Sequence, residues 1–229
     1  DIMPSLVGSE MCIRDSLLFL LHGAAWTLGL SATGFVGGGL LGFLVALGRI
    51  APSRLCRGLV GIYVQLIQGT PLLILMFLAY FGLGIMGFDV PPLAAAGLAM
   101  TIYTSAYLGE IWRGALQSVP RTQWEAAECL SFSASQRLFL IIVPQALRIA
   151  TPPTVGFLVQ IVKNTSLASV VGFIELARAG QVINNALFEP FLVFSIMALL
   201  YFALCYPLSL WAHALETRLR VGRRASPGT

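Results

Sequence analysis

The 229 residues are 57% hydrophobic and only 10% charged, with a mean hydropathy of +0.84. That balance excludes an ordinary soluble domain with a hydrated surface. The net charge of +4 and pI near 9.1 come from basic residues gathered on one side of a membrane, as set out below, and are not a nucleic-acid footprint. The expectation is an all-α polytopic membrane protein.

Near its start the chain reads Leu6-Val-Gly-Ser-Glu-Met-Cys-Ile-Arg-Asp-Ser16. Back-translated, it resembles a transposase adapter used in preparing sequencing libraries. Residues 1–16 are therefore expected to be foreign to the native protein, and not a signal peptide. No function is assigned to Glu10, Cys12 or Arg14. A single membrane domain is expected over 17–220, followed by a tail over 221–229.

A membrane span needs about 20 mostly apolar residues. Five stretches qualify, near 24–48, 59–86, 93–112, 150–172 and 190–213. The first holds Gly37, Gly38, Gly39 and Gly42, small residues that let helices approach closely in lipid. The second contains Gly69-Thr70-Pro71, and a kink is expected there because Pro71 removes an intrahelical hydrogen bond. The third ends with Glu110 and Arg113, three apart on one helical face. They read as an ion pair pinning the end of the span or as part of a transport route.

Between the third and fourth spans, about 120–140, the pattern turns polar. Thr122-x-x-Glu125 and Ser133-x-x-Gln136 both have the form of capping boxes, so two short helices joined near Ser131-Phe132 are expected. Ala126 and Ala127 would leave one face of the first helix flat, while Glu125 and Glu128 could pair with basic groups. The segment is a grip for another protein or a solvated hairpin.

The fourth span holds Lys163-Asn164-Thr165-Ser166-Leu167. Ionisable residues at such depth face a cavity or a partner, so the cluster reads as a pathway lining or a buried structural group. Lys163 is the only lysine.

Arg49, Arg54 and Arg57 follow span one; Arg113, Arg121, Arg137 and Arg148 follow span three; Arg218, Arg220, Arg223 and Arg224 follow span five. All share one side, while Asp89, Glu175, Arg178 and Glu189 occupy the opposite loops. The basic side is the cytoplasmic one, which sets the N-terminus outside, the C-terminus inside and the polar loop in the cytosol. Cys12, Cys56, Cys129 and Cys205 are dispersed, and His22 and His213 stand alone. Neither a disulfide framework nor a metal site is expected.

The order Glu125-Ala126-Ala127, Ser131, Ile141, Pro144 resembles the EAA loop of the membrane subunits of ATP-binding-cassette importers, in which Glu-Ala-Ala is followed by Gly and then Ile-x-Leu-Pro. Ser131 replaces that Gly and Val143 the Leu. From about Leu17 to Leu219 the chain is similar to the polar amino-acid permeases of this class, most closely over Ala106 to Ala127. Gln68 stands where these proteins usually have Arg, and Asn164 where Asp is common.

The resemblance implies a type I importer transmembrane domain in the bacterial inner membrane, coupled through Glu125, Ala126, Ala127, Ser131, Ile141 and Pro144 to a separate ATPase. It also implies a second permease of the same or similar kind and an external solute-binding protein. Gln68, Lys163, Asn164, Thr165 and Ser166 would line the substrate path. No phosphate-binding Gly-x-x-x-x-Gly-Lys-[Ser/Thr] occurs, so ATP would be used by the partner and no cofactor is expected on this chain. An amino acid is the implied cargo, with an opine or sulfur amino acid as alternatives. A gradient-driven secondary transporter usually carries inverted repeats and embedded acids, whereas only Glu110 offers itself here. An intramembrane enzyme would need a nucleophile and base or a metal cluster, and no such motif is found.

Overall fold

The computed structural model describes the backbone of residues 3–224 and the side chains of residues 14–218. Most of the segment expected to be foreign, and the expected tail over 221–229, lie outside the residues whose side chains are described. Among the described residues eight helices follow one another. They are α1 (Met3–Ile50), α2 (Arg54–Gly69), α3 (Leu72–Ile85), α4 (Pro92–Gln117), α5 (Arg121–Cys129), α6 (Ala134–Val171), α7 (Leu176–Leu187) and α8 (Pro190–Arg224). No strand occurs among the described residues.

The expected kink in the second span is a full break. Thr70 is extended at φ −106° and ψ 128°, the conformation imposed on a residue before proline. Pro71 then starts α3, and the two helices meet at 101°. Among the described residues, Arg14–Ile50, Ala134–Val171 and Pro190–Arg218 are individually long and apolar enough to cross a membrane, and the bent α2–α3 pair adds a fourth if it is one crossing. The stretch expected near 93–112 forms α4 but is not among them. Its Ala95, Ala96, Thr104, Ser105 and Leu108 are buried by neighbouring helices, so they meet protein in place of lipid and need not be strongly apolar.

That burial makes α4 the centre of the fold, packed against α1, α2, α3 and α6. The α1–α4 contact is a backbone approach set by small residues. A methyl at Gly38 would overlap the Thr104 side chain, and one at Gly42 would lie 3.1 Å from the Ser105 carbonyl oxygen. Of the four glycines singled out in the sequence, Gly39 has the most room, with Trp112 3.7 Å from such a methyl. Leu30, Met76, Met100 and Ile161 fill the main core. A second core joins α1, α7 and α8 around Leu20, Leu176 and Val193, and a third packs Ile50, Leu116, Trp124 and Ile142 beneath α5.

Glu175, expected in a loop, lies in the connection between α6 and α7 and is 0% exposed. Its burial comes from what surrounds it: it caps α7 while pressed against α1 and α8.

Candidate coupling and translocation site

Helix α5 starts at Arg121 with Pro120 as its cap and no side-chain capping bond. The expected Thr122 capping box is therefore not formed. Pro120 at ψ 139° turns the chain two residues earlier, which places Thr122 inside the helix. The second expected box is present: the Ser133 side chain accepts from the Gln136 amide at 3.4 Å, and Gln136 Oε1 accepts from the Ser133 amide at 3.0 Å.

Between them, Ser131 is left-handed at φ 61°. The Ser131 amide donates to the Glu128 carbonyl at 2.9 Å and the Phe132 amide to the Ala127 carbonyl at 3.2 Å. This is the paired-bond C-terminal motif that ordinarily uses glycine. Ser131 thus takes the conformation a glycine would take, at a cost of about 1–2 kcal/mol for an L-residue.

Trp124 and Ala127 turn inward, Ala127 being only 1% exposed, whereas Glu125, Ala126 and Glu128 face out. The flat face expected from two alanines is therefore Ala126 alone. Glu128 pairs with Arg137 of this same chain at 3.0 Å, and Glu125 is the other outward-facing acid on this helix. Beside it opens a cleft of about 550 Å³ lined by Gln117, Val119, Arg121, Trp124 and Glu125. Ile141 lies half-buried in the π-helical turn Arg137–Ile142, and Pro144 is exposed just after it. The loop is thus held by the third core and by the Ser131 turn, while one acidic edge faces out.

Glu110 does more than pair with Arg113. Its Oε2 accepts from Arg113 Nη2 at 2.7 Å, while its Oε1 accepts from Arg49 Nε of α1 at 2.8 Å. Two cations on one carboxylate fit a structural clamp better than a moving ion site. Trp112 Nε1 adds a bond to Thr154 Oγ1 at 2.9 Å, tying α4 to α6.

The expected pathway residues divide. Thr165 is fully buried and donates to the Val162 carbonyl at 2.8 Å, and Ser166 donates to the Lys163 carbonyl at 2.8 Å. Both hydroxyls are spent on their own helix as it tightens into the 3-10 turn Thr165–Val171. Lys163 is exposed, and Asn164 Oδ1 accepts from Gln160 Nε2 at 3.1 Å. Gln68 sits on α2 and reaches the Ala106 carbonyl at 3.4 Å.

Next to Asn164 stands Tyr103, within an aromatic stack. Tyr103 and Tyr107 lie 4.5 Å apart and Tyr107 and Phe157 5.4 Å apart, the latter two nearly parallel at 14°. Sequence reading passed over this aromatic group. Its signal was helical spacing, Tyr103 four residues before Tyr107 and Phe157 seven before Asn164.

A family model of binding-protein-dependent transport system inner membrane components matches residues 38–221. The chain belongs to this family. It is 31% identical over 204 residues to a probable amino-acid ABC transporter permease, YckA, of Bacillus subtilis (strain 168), with 89% of this chain and 90% of the relative covered. It is 34% identical over 201 residues to the L-cystine transport system permease TcyB of the same organism, covering 87% and 86%. To the histidine/lysine/arginine/ornithine permease HisM of Salmonella typhimurium it is 34% identical over 196 residues, covering 81% and 83%. A solved structure described as an amino acid ABC transporter with histidines superposes with a TM-score of 0.84 at 28% identity, over 91% of this chain and 97% of that one. The inward-facing MetNI methionine ABC transporter shares the fold, with a TM-score of 0.65 at 22% identity over 91% and 94%.

The permease is a multi-pass inner-membrane transport component and not itself an ATPase. The α5 loop lies inside the matched region.

Proposed function

We propose that this chain is the translocation subunit of a bacterial ATP-driven importer for a polar amino acid. In this reading α5 seats on a separate ATPase through Glu125, Ala126 and Ala127, while Ser131, Ile141 and Pro144 hold the seat in shape. The observation that carries it is the outward acidic edge of α5, fixed on a rigid left-handed turn and flanked by an open cleft. A flexible hairpin could not transmit a displacement, whereas a helix packed on the third core can pull α4 and α6 with it.

A second permease and an external solute-binding protein complete the assembly. ATP is bound and hydrolysed by the partner. Closure of two ATPase subunits draws two α5 helices together and opens the bundle outward, and hydrolysis resets it. Such a cycle requires only that the docked ATPase contact the two states differently.

Substrate passes along the faces of α4 and α6 near Lys163 and Asn164. Thr165 and Ser166 shape the helix end, and Gln68 contributes from α2. The neutral Asn164 beside Tyr103 suits a zwitterionic solute better than a strictly cationic one, because no carboxylate is supplied there. A sulfur amino acid is the second reading, favoured by the likeness to the L-cystine permease.

Uptake of labelled amino acids into vesicles from the native membrane tests the proposal. Uptake that needs ATP and survives collapse of the proton and sodium gradients supports it. Uptake that follows an ion gradient and ignores ATP overturns it.

A further inference from the structure

Helix α7 is capped by residues from two different parts of the chain. Its first amide, Leu176, donates to Thr27 Oγ1 of α1 at 3.2 Å. Its second and third, Ala177 and Arg178, donate to the Glu175 carboxylate at 2.8 and 2.9 Å. The same carboxylate accepts from Tyr201 of α8 at 2.8 Å and from the Thr27 hydroxyl at 3.4 Å. Thr165, at the tightened end of α6, stands beside the Tyr201 hydroxyl. Backbone packing closes the same joint, since a methyl at Gly23 would lie 3.1 Å from the Glu175 carbonyl oxygen.

The residue type matters. Helix caps favour Ser, Thr, Asp and Asn, whose short side chains reach the second and third amides. Glutamate is not among them. Its additional methylene is what lets one carboxylate serve the α7 amides and still meet Tyr201 and Thr27. A cap alone would not require that length; a junction does.

We infer that Glu175 is a positioning residue that locks α7 to α1 and α8, so that these three helices move as one body during transport. Thr27, 148 residues away in sequence, and Tyr201 are its two tethers. The junction meets α6 at Thr165, the residue after Asn164, so motion of the body reaches the proposed substrate path directly. Without the junction, α7 would slip on its neighbours and solute movement would lag behind the ATPase cycle.

The inference rests on the importer reading, and the test separates the two. Wild-type, Glu175→Asp and Tyr201→Phe forms are reconstituted with the ATPase and binding protein that accompany the chain. Membrane abundance and ATP consumed per solute imported are both measured. Aspartate still caps α7 but is a methylene short of Tyr201, and phenylalanine removes only the phenol oxygen.

The expected result is wild-type abundance in both variants with a several-fold rise in ATP consumed per solute. Unchanged coupling in both variants overturns the inference, whether or not abundance falls, because a merely structural cap would change abundance alone. If Glu175→Asp fails to accumulate, Tyr201→Phe decides. A wild-type chain whose uptake consumes no ATP removes the importer reading, and the inference with it.

Discussion

Arg49 Nε lies 2.8 Å from Glu110 Oε1, joining the end of α1 to α4 beside the core that carries α5. Twenty-two residues earlier on α1, Thr27 meets Glu175. At 1.5 Å per residue these two carboxylate junctions stand about 33 Å apart, roughly the thickness of a bilayer core. Helix α1 is thus fixed to its neighbours at its middle and at its C-terminal end by buried or half-buried acids.

The clamp at Glu110 should be measurable as stability. Its partners are between a fifth and a third exposed, so Glu110→Gln should cost about 2 kcal/mol, between the surface and fully buried limits for an ion pair. Thermal unfolding in detergent checks this. Arg49→Lys should recover part of the loss, since an ammonium keeps the charge but not the guanidinium geometry.

Ser131→Gly should stabilise the α5 turn by about 1 kcal/mol, because glycine accepts the left-handed conformation without the Cβ penalty but orders a freer unfolded chain. Ser131→Val should destabilise it. Hydrogen exchange at the Phe132 amide reports both: protection rises in the first variant and falls in the second.

Asn164→Asp would place a carboxylate beside Tyr103. Competition uptake should then shift towards lysine and arginine. Unchanged preference and rate would show that Asn164 does not meet the solute.

Burial pushes the Glu175 carboxyl above the usual carboxylate range, with bonds from Ala177, Arg178, Tyr201 and Thr27 pulling it back. A raised folded value means that the folded form binds the proton more tightly than the unfolded chain. The group's stabilisation is therefore full below the unfolded pKa, about 4.3 for glutamate, and is lost as pH rises through the folded value. The wild-type stability advantage over Glu175→Gln should shrink from about pH 4 upward, as thermal unfolding across pH would show.

Much of the architecture was legible in the chain. The break at Thr70-Pro71 follows from proline sterics, and the Ser133–Gln136 box from spacing alone. The Gly38 and Gly42 approach follows from side-chain size. What escaped depends on tertiary contact. Thr122-x-x-Glu125 had the form of a cap, but Pro120 began the helix first. Glu175 looked like a loop charge because nothing local shows that Thr27 and Tyr201 converge on it. Ala126 and Ala127 are identical in sequence terms, and only the third core decides which of them faces out. The Tyr103, Tyr107 and Phe157 stack likewise needs α4 and α6 side by side.

The central claim is that the acidic edge of α5 holds an ATPase. It is tested most directly by isolating a tagged chain from native membranes in mild detergent, with Glu125→Arg alongside. The account predicts that an ATPase co-purifies with the wild-type chain and is lost from the variant while the variant's abundance holds. Equal recovery of an ATPase with both forms, or no ATPase with either, would contradict it.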